Sequence, residues 1–197
     1  MATKTKKQAK ARKELLFRQE QLAWDMRTDR QRAQAQAVAE RYAALLDPAK
    51  AEREAPAGLD EALALLADGG GKVVSGGQSM GPMLNMRLAR PEHLVDLNDL
   101  IELDYVREVS GMIEVGALTR HHRLATGAEI KRSVPLLSQA AATIGHYAIR
   151  QRGTVAGSLV HADPAAQIPL LAVTLGAEVV VQSATGSRIV PAADFLQ

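Results

Sequence analysis

The sequence predicts an α+β fold preceded by a helical arm. Three observations carry that reading. The first 47 residues contain neither glycine nor proline and are rich in helix-forming residues. From Leu59 onward, short apolar runs alternate with helical segments, and glycine and proline punctuate them. The alternation lacks the regular strand–helix spacing of a doubly wound sheet.

The arm comes first. From about Ala11 to Leu46 the chain is dominated by Ala, Gln, Arg, Glu and Leu, all good helix formers. Leu15, Leu22 and Met26 fall near helical spacing, as do Val38, Tyr42 and Leu45. This predicts one long helix, or two divided near Arg27–Arg30. Asp47-Pro48 stops it, because a residue before proline is disfavoured in the helical region. Residues 49–58 read as a linker, so 1–57 forms a basic helical arm with its linker. Charge follows the same division. Residues 1–57 hold 13 Lys/Arg against 8 Asp/Glu, and residues 58–197 hold 11 against 14. The plainest role for the arm is an amphipathic helix packing on its own domain or on a partner. The cluster Lys4, Lys6, Lys7, Lys10, Arg12 and Lys13 also suits an anionic surface or a nucleic acid.

The remaining elements follow in order. Leu59–Leu66 is helical and is stopped by Gly69-Gly70-Gly71. Lys72–Ser75 is an apolar run suited to a buried strand. Gly76-Gly77-Gln78-Ser79 is a tight loop. Met80–Leu88 is a helical turn or short helix, interrupted at Gly81-Pro82. His93–Leu97 and Met112–Gly116 read as strands. Pro135–Ile144 and Pro164–Leu175 read as helices entered at proline, a residue suited to a first turn. Glu178–Gln182 and Arg188–Val190 form a hairpin around Ala184-Thr185-Gly186.

Composition excludes several classes of function. The chain has no cysteine, so it holds no disulfide, thiolate zinc site, cysteine nucleophile or cysteine-ligated iron–sulfur cluster. Aromatic residues are only 3%, too few for a broad stacking platform for single-stranded nucleic acid. No apolar run approaches the roughly 20 residues of a membrane span, and no secretory signal is recognisable. A cytoplasmic protein is the expectation. His121-His122 do not make a metal site, since adjacent helical residues point about 100° apart. His146 and His161 have no carboxylate at ligand spacing. Ser79 and Ser158 lie outside any G-x-S-x-G nucleophile elbow. No side chain is marked as a catalytic acid or base.

Two glycine loops carry the chemistry. In Val73-Val74-Ser75-Gly76-Gly77-Gln78-Ser79, a strand runs into two glycines. Such a turn lets backbone N–H groups converge on an anion, and a following short helix adds further amides. The second loop is Arg150-Gln151-Arg152-Gly153-Thr154-Val155-Ala156-Gly157-Ser158, followed by His161-Ala162-Asp163-Pro164-Ala165-Ala166-Gln167. Asp163 either caps a helix starting at Pro164 or contacts a ligand. Neither loop fits the usual dinucleotide or phosphate-loop patterns.

The stretch Ser75–Pro91 resembles the first FAD loop of the flavoprotein subunits of molybdenum hydroxylases. That family includes the medium subunit of aerobic carbon monoxide dehydrogenase and the FAD domain of xanthine dehydrogenase. Ile144-Gly145-His146, Arg152–Ser158 and His161–Ala166 resemble the family's second loop in order and spacing. The resemblance runs from about Leu59 to Phe195. It implies a two-subdomain FAD-binding fold of the vanillyl-alcohol oxidase type, with subdomains at 58–104 and 105–197.

By the same resemblance, Val73, Val74, Ser75, Gly76, Gly77, Gln78, Ser79 and Met80 wrap the FAD pyrophosphate. Thr154, Val155, Ala156, Gly157 and Ser158 form a second wall. Ile144 lies near the flavin, and Asp163 and Gln167 near the cofactor's polar groups. The chain departs from the family at Tyr147-Ala148, at Ala156-Gly157-Ser158 in place of Gly-Gly-Asn, and at Gln167 in place of an acidic residue. A methyl at Ala156 is expected to obstruct a close backbone contact or a positive φ. The strand that opens the family's first subdomain is not recognisable ahead of Leu59. The chain reads as a member truncated at its C-terminus.

The function implied is electron transfer. A partner large subunit would carry molybdopterin and a small subunit [2Fe–2S] clusters. Electrons would pass from those clusters to FAD in this chain and on to an external acceptor. The alternative is a non-catalytic assembly protein that docks a partner through its N-terminal helix.

Overall fold

The computed structural model describes residues 52–67 and 69–197, together with Ala33. The expected N-terminal arm and its basic cluster lie outside the described residues. The fold begins with a parallel sheet of three strands: β1 (Glu52–Glu54), β2 (Gly71–Val74) and β3 (His93–Asp96), in the order β1-β3-β2. Helix α1 (Leu59–Ala67) joins β1 to β2, and α2 (Met80–Asn85) lies between β2 and β3. Register is set by pairs such as Arg53↔Leu94 and Val74↔Asp96.

Strand β1 lies within the segment that the sequence suggests is a linker. Its Glu-Arg-Glu sequence carries no apolar alternation, which is the usual sign of a strand. It is tied in by charge instead: Arg53 Nε donates to the Asp96 carboxylate at 2.8 Å. Asp60 and Glu61 in the first turn of α1 suit the positive end of its dipole, and Glu61 also accepts from the Ala57 amide at 2.7 Å. The inner face of α1 buries Ala62 against Val95, Leu100 and Leu118, with Leu65, Leu66, Leu97 and Leu103 around them.

Helix α2 runs through Gly81-Pro82 without the interruption the sequence suggests. Pro82 is its third residue, where a backbone N–H has no acceptor inside the helix, so its absence costs little. After β3, a 3₁₀ turn at Ile101–Leu103 leads into β4 (Val106–Val109), which pairs antiparallel with β5 (Met112–Val115). The two-residue turn puts Ser110 at φ 52° and Gly111 at φ 80°, the left-handed pair that a tight hairpin demands.

Six helices follow: α3 (His121–Thr126), α4 (Ala128–Ser133), α5 (Pro135–Thr143), α6 (Tyr147–Arg152), α7 (Val155–His161) and α8 (Gln167–Thr174). They enclose a second core of Leu124, Ile130, Ala141 and Ile168, against which Val106, Ile113, Val155 and Leu159 pack. The hairpin β6 (Glu178–Ser183) and β7 (Gly186–Pro191) then leads into α9 (Ala192–Phe195). The architecture is α+β. One helix starts later than its proline suggests. The α8 helix begins at Gln167 with Ala166 as its cap, not at Pro164.

Candidate functional site

The two glycine loops touch. Ser75 Oγ lies 2.9 Å from Thr154 Oγ1, across 79 residues of sequence. Thr154 is almost wholly buried at 2% exposure. Glycine is required here because the loops are so close. A Cβ on Gly76 would stand 2.1 Å from the carbonyl oxygen of Arg152. One on Gly157 would stand 2.7 Å from Thr154 Oγ1 and 3.2 Å from Ser75 Oγ. Gly77 serves a different need. It has open space around it but holds φ at +67°, a left-handed conformation that glycine alone adopts cheaply.

Beside this contact lies a cleft of about 250 Å³. Val74, Ser75, Gly76, Gly77, Gln78 and Met80 line one side, and Asp96, Asn98, Arg120 and Arg152 another. Among the described residues, the backbone N–H groups of Gly77, Gln78, Ser79 and Met80 have no acceptor. The Ser79 side chain makes no cap hydrogen bond to α2, and Gln78 Nε2 folds back onto the Gly76 carbonyl at 3.1 Å.

Polar side chains brace the floor. Arg120 donates through Nη1 to the Arg152 carbonyl at 2.6 Å and through Nη2 to Asn98 Oδ1 at 2.8 Å. Asn98 Nδ2 donates to the Ser75 carbonyl at 2.7 Å and to Asp96 Oδ1 at 2.6 Å. Arg53 binds the other oxygen of Asp96. Burial, and then the neighbouring charge of Arg152, pull the Arg120 pKa below its ordinary value, while Asp104 and Asp96 oppose that shift. Among the described residues, the Arg152 guanidinium has no carboxylate partner. Three arginines, Arg53, Arg120 and Arg152, and one carboxylate, Asp96, line the cleft.

The second loop is arranged differently from expectation. Its amides are already used inside the protein. Val155 N donates to the Thr119 carbonyl and Ala156 N to the Ala117 carbonyl, each at 3.0 Å. Gly157 N donates to Thr154 Oγ1 at 3.2 Å, which makes Thr154 the side-chain cap of α7. Ser158 N returns to the Thr154 carbonyl at 3.1 Å. The methyl of Ala156 obstructs no positive φ, because Ala156 sits in the first turn of α7 and is absent from the left-handed residues.

His121 supports this loop from beneath. Its buried ring places Nε2 3.0 Å from the Thr154 carbonyl, and Nδ1 has no partner among the described residues. Burial pushes its pKa down, the Thr154 hydrogen bond opposes that, and Arg120 adds to the depression. His122 points elsewhere, meeting the Tyr147 ring edge-on at 5.2 Å.

Other expected site residues fall outside the cleft lining. Val73 lies on β2, 40% exposed. Ile144 ends α5 and packs on the second core, and its carbonyl accepts from Arg150 Nη1 at 2.9 Å. Asp163 caps a local turn, accepting from the Ala165 amide at 2.8 Å, and does not cap α8. Gln167 Nε2 reaches Thr143 Oγ1 at 3.5 Å. The sequence reading missed Arg53, Asp96, Asn98 and Arg120. None stands in a glycine loop, and only tertiary contacts bring them there.

The geometry describes an anion cradle, and comparison with known proteins shows whose. The family described as "FAD binding domain in molybdopterin dehydrogenase" matches residues 50–197. The chain belongs to that family. This FAD-binding domain is 47% identical over 140 residues to the 6-hydroxypseudooxynicotine dehydrogenase complex subunit alpha of Paenarthrobacter nicotinovorans, a match covering 70% of this chain and 47% of that one. It is 37% identical over 150 residues to the carbon monoxide dehydrogenase medium chain of Hydrogenophaga pseudoflava, covering 75% and 52% respectively.

Solved structures agree. Quinoline 2-oxidoreductase from Pseudomonas putida 86 superposes with a TM-score of 0.71 at 41% identity, over 73% of this chain and 51% of that one. Carbon monoxide dehydrogenase from Hydrogenophaga pseudoflava gives 0.73 at 36% identity, over 75% and 52%. The chain thus spans about half the length of the relatives it matches. The residues present fit the diphosphate of FAD: Gly77, Gln78 and Met80, whose amides have no acceptor among the described residues, line one cleft with Arg152, which has no carboxylate partner among them. Among the described residues, no helix is long and apolar enough to cross a membrane.

Proposed function

We propose that this chain is the FAD-binding part of an electron-transfer subunit in a molybdopterin-dependent dehydrogenase. The observation that carries the reading is that Gly77, Gln78 and Met80, with amides lacking an acceptor among the described residues, line the same cleft as Arg152. Such a nest of N–H groups beside a guanidinium without a carboxylate partner among the described residues is what a diphosphate requires. FAD, when bound, supplies the redox chemistry.

The chain's own residues bind and orient. Val74 to Gln78 and Met80 hold the diphosphate, with the amides of Gly77, Gln78 and Met80 donating. Thr154, Val155, Ala156, Gly157 and Ser158 lie outside the cleft lining and act as its support, Thr154 through its contact with Ser75. Ile144, Asp163 and Gln167 take no part in the cleft itself. The partners are a molybdopterin-binding large subunit and a [2Fe–2S] small subunit. The support is that matching proteins are described as a subunit of a dehydrogenase complex and as a medium chain. The lack of cysteine in this chain is consistent with clusters carried elsewhere.

The test is an FAD titration of the 197-residue chain, read by visible absorbance after gel filtration. Wild type retains flavin. Arg152→Gln keeps the backbone carbonyl that Arg120 holds but removes the charge. It binds FAD about 10- to 100-fold more weakly, the range expected for one charge-assisted hydrogen bond. Equal affinity in the two proteins overturns the assignment of the cleft.

A further inference from the structure

Every donor of Asn98 is engaged. Both protons of its amide nitrogen are donated, one to the Ser75 carbonyl and one to Asp96 Oδ1. Its amide oxygen accepts from Arg120 Nη2. Its backbone N–H is held by Asp96 Oδ1 at 2.9 Å. It lines the cleft yet has no free donor to offer a ligand. Its side chain instead joins two things. Through Ser75 it grips the first glycine loop. Through Arg120, whose other terminal nitrogen holds the Arg152 carbonyl, it grips the second.

The residue types are demanding. Aspartate lacks the two donors, and leucine of similar size lacks every polar atom. Arg120 must span two acceptors with one planar fork, which lysine cannot do.

We propose that Asn98 and Arg120 are positioning residues, forming a clamp that sets the separation of the two glycine loops. The inference rests on the reading of the cleft as an FAD diphosphate site and adds the device that tunes it. Arg152, which has no carboxylate partner among the described residues, hangs from the carbonyl the clamp holds. The amides of the first loop begin two residues beyond the other carbonyl it holds. A slackened clamp therefore shifts the first-loop amides and Arg152 relative to one another, the groups that would hold a diphosphate.

The experiment uses the full chain with Asn98→Ala, Arg120→Lys and the double variant, and reads two quantities. The first is amide hydrogen exchange without ligand. The His121 amide, bonded to the Gly153 carbonyl, reports the second loop; the Gly81 amide, bonded to the Gly77 carbonyl, reports the first. Asn98→Ala speeds exchange about tenfold at His121, and Arg120→Lys does the same at Gly81. The double variant goes no further than the larger single one, because both cut one bridge.

The second quantity is affinity for FAD against riboflavin, which lacks the diphosphate. Each variant loses about tenfold toward FAD and nothing toward riboflavin. Exchange changes confined to the mutated residue's own loop, or additive effects in the double variant, overturn the clamp. So does an equal loss toward both flavins. If wild type binds no FAD, the functional reading falls, and the exchange data still decide the clamp. If Asn98→Ala does not fold, Arg120→Lys, which keeps its charge, decides it alone through the Gly81 amide and the flavin comparison.

Discussion

Replacing Gly76 by alanine tests the central contact of the site. The added Cβ would meet the Arg152 carbonyl oxygen at 2.1 Å, its carbonyl carbon at 2.8 Å and Gly153 Cα at 3.0 Å. All three are backbone atoms, so no side-chain rotation relieves the crowding. Ordinary contact begins near 3.4 Å, and the loops must separate by roughly 1.3 Å to reach it. That retreat stretches the Ser75–Thr154 hydroxyl contact and the hydrogen bond from Arg120 to Arg152. Overpacking of this kind costs about 3 kcal/mol, the upper end of the usual range. For a domain of this size that lowers Tm by about 9 °C. Thermal unfolding followed by circular dichroism measures it. Gly77→Ala is the control: its Cβ meets nothing within 4 Å, and only the positive φ is penalised, at about 1 kcal/mol. If Gly76→Ala melts with wild type, or Gly77→Ala is the worse of the two, the reasoning from loop proximity is refuted.

Two further outcomes are expected. Thr154→Val removes the cap of α7 and the partner of Ser75 Oγ while keeping the shape. It costs about 1–2 kcal/mol in urea unfolding, and Thr154→Ser recovers most of that. The depressed pKa of His121 makes stability fall with acid. The folded state favours the neutral ring, so the stabilisation is complete above the ordinary value of 6.5 and is lost as pH drops below it toward the folded value. Denaturation across pH 5–8 shows this slope in wild type, and His121→Gln flattens it.

The sequence displays what is local. The helices at Leu59 and Pro135 are legible because apolar periodicity and a start or stop signal coincide. The hairpin near Gly186 is legible from its β-branched flanks. The first glycine loop is legible less from a strand entering paired glycines, a common turn, than from its pairing in order with the second loop, as in the family it resembles. Strand β1 is concealed because an Arg–Asp pair holds it, not an apolar face. Helix α7 is concealed because its glycine and alanine look like a loop until Thr154 is seen capping them. The loop amides of Thr154–Ser158 look available in sequence, but the carbonyls of Ala117 and Thr119 consume two of them. Asn98 and Arg120 carry no local signature at all, since their meaning lies in which carbonyls the fold brings to them.

The Ser75–Thr154 contact also bears on how the molecule is made. It closes a span of 79 residues, and closing a flexible span of that length costs on the order of 4 kcal/mol of chain entropy. Contacts so distant in sequence form slowly. A chain that has folded each core but not closed this span has two packed halves and no cleft. A ligand that grips both loops binds only the closed form and stabilises it by mass action. Its concentration then governs how long the finished molecule survives, as well as how much of it is loaded.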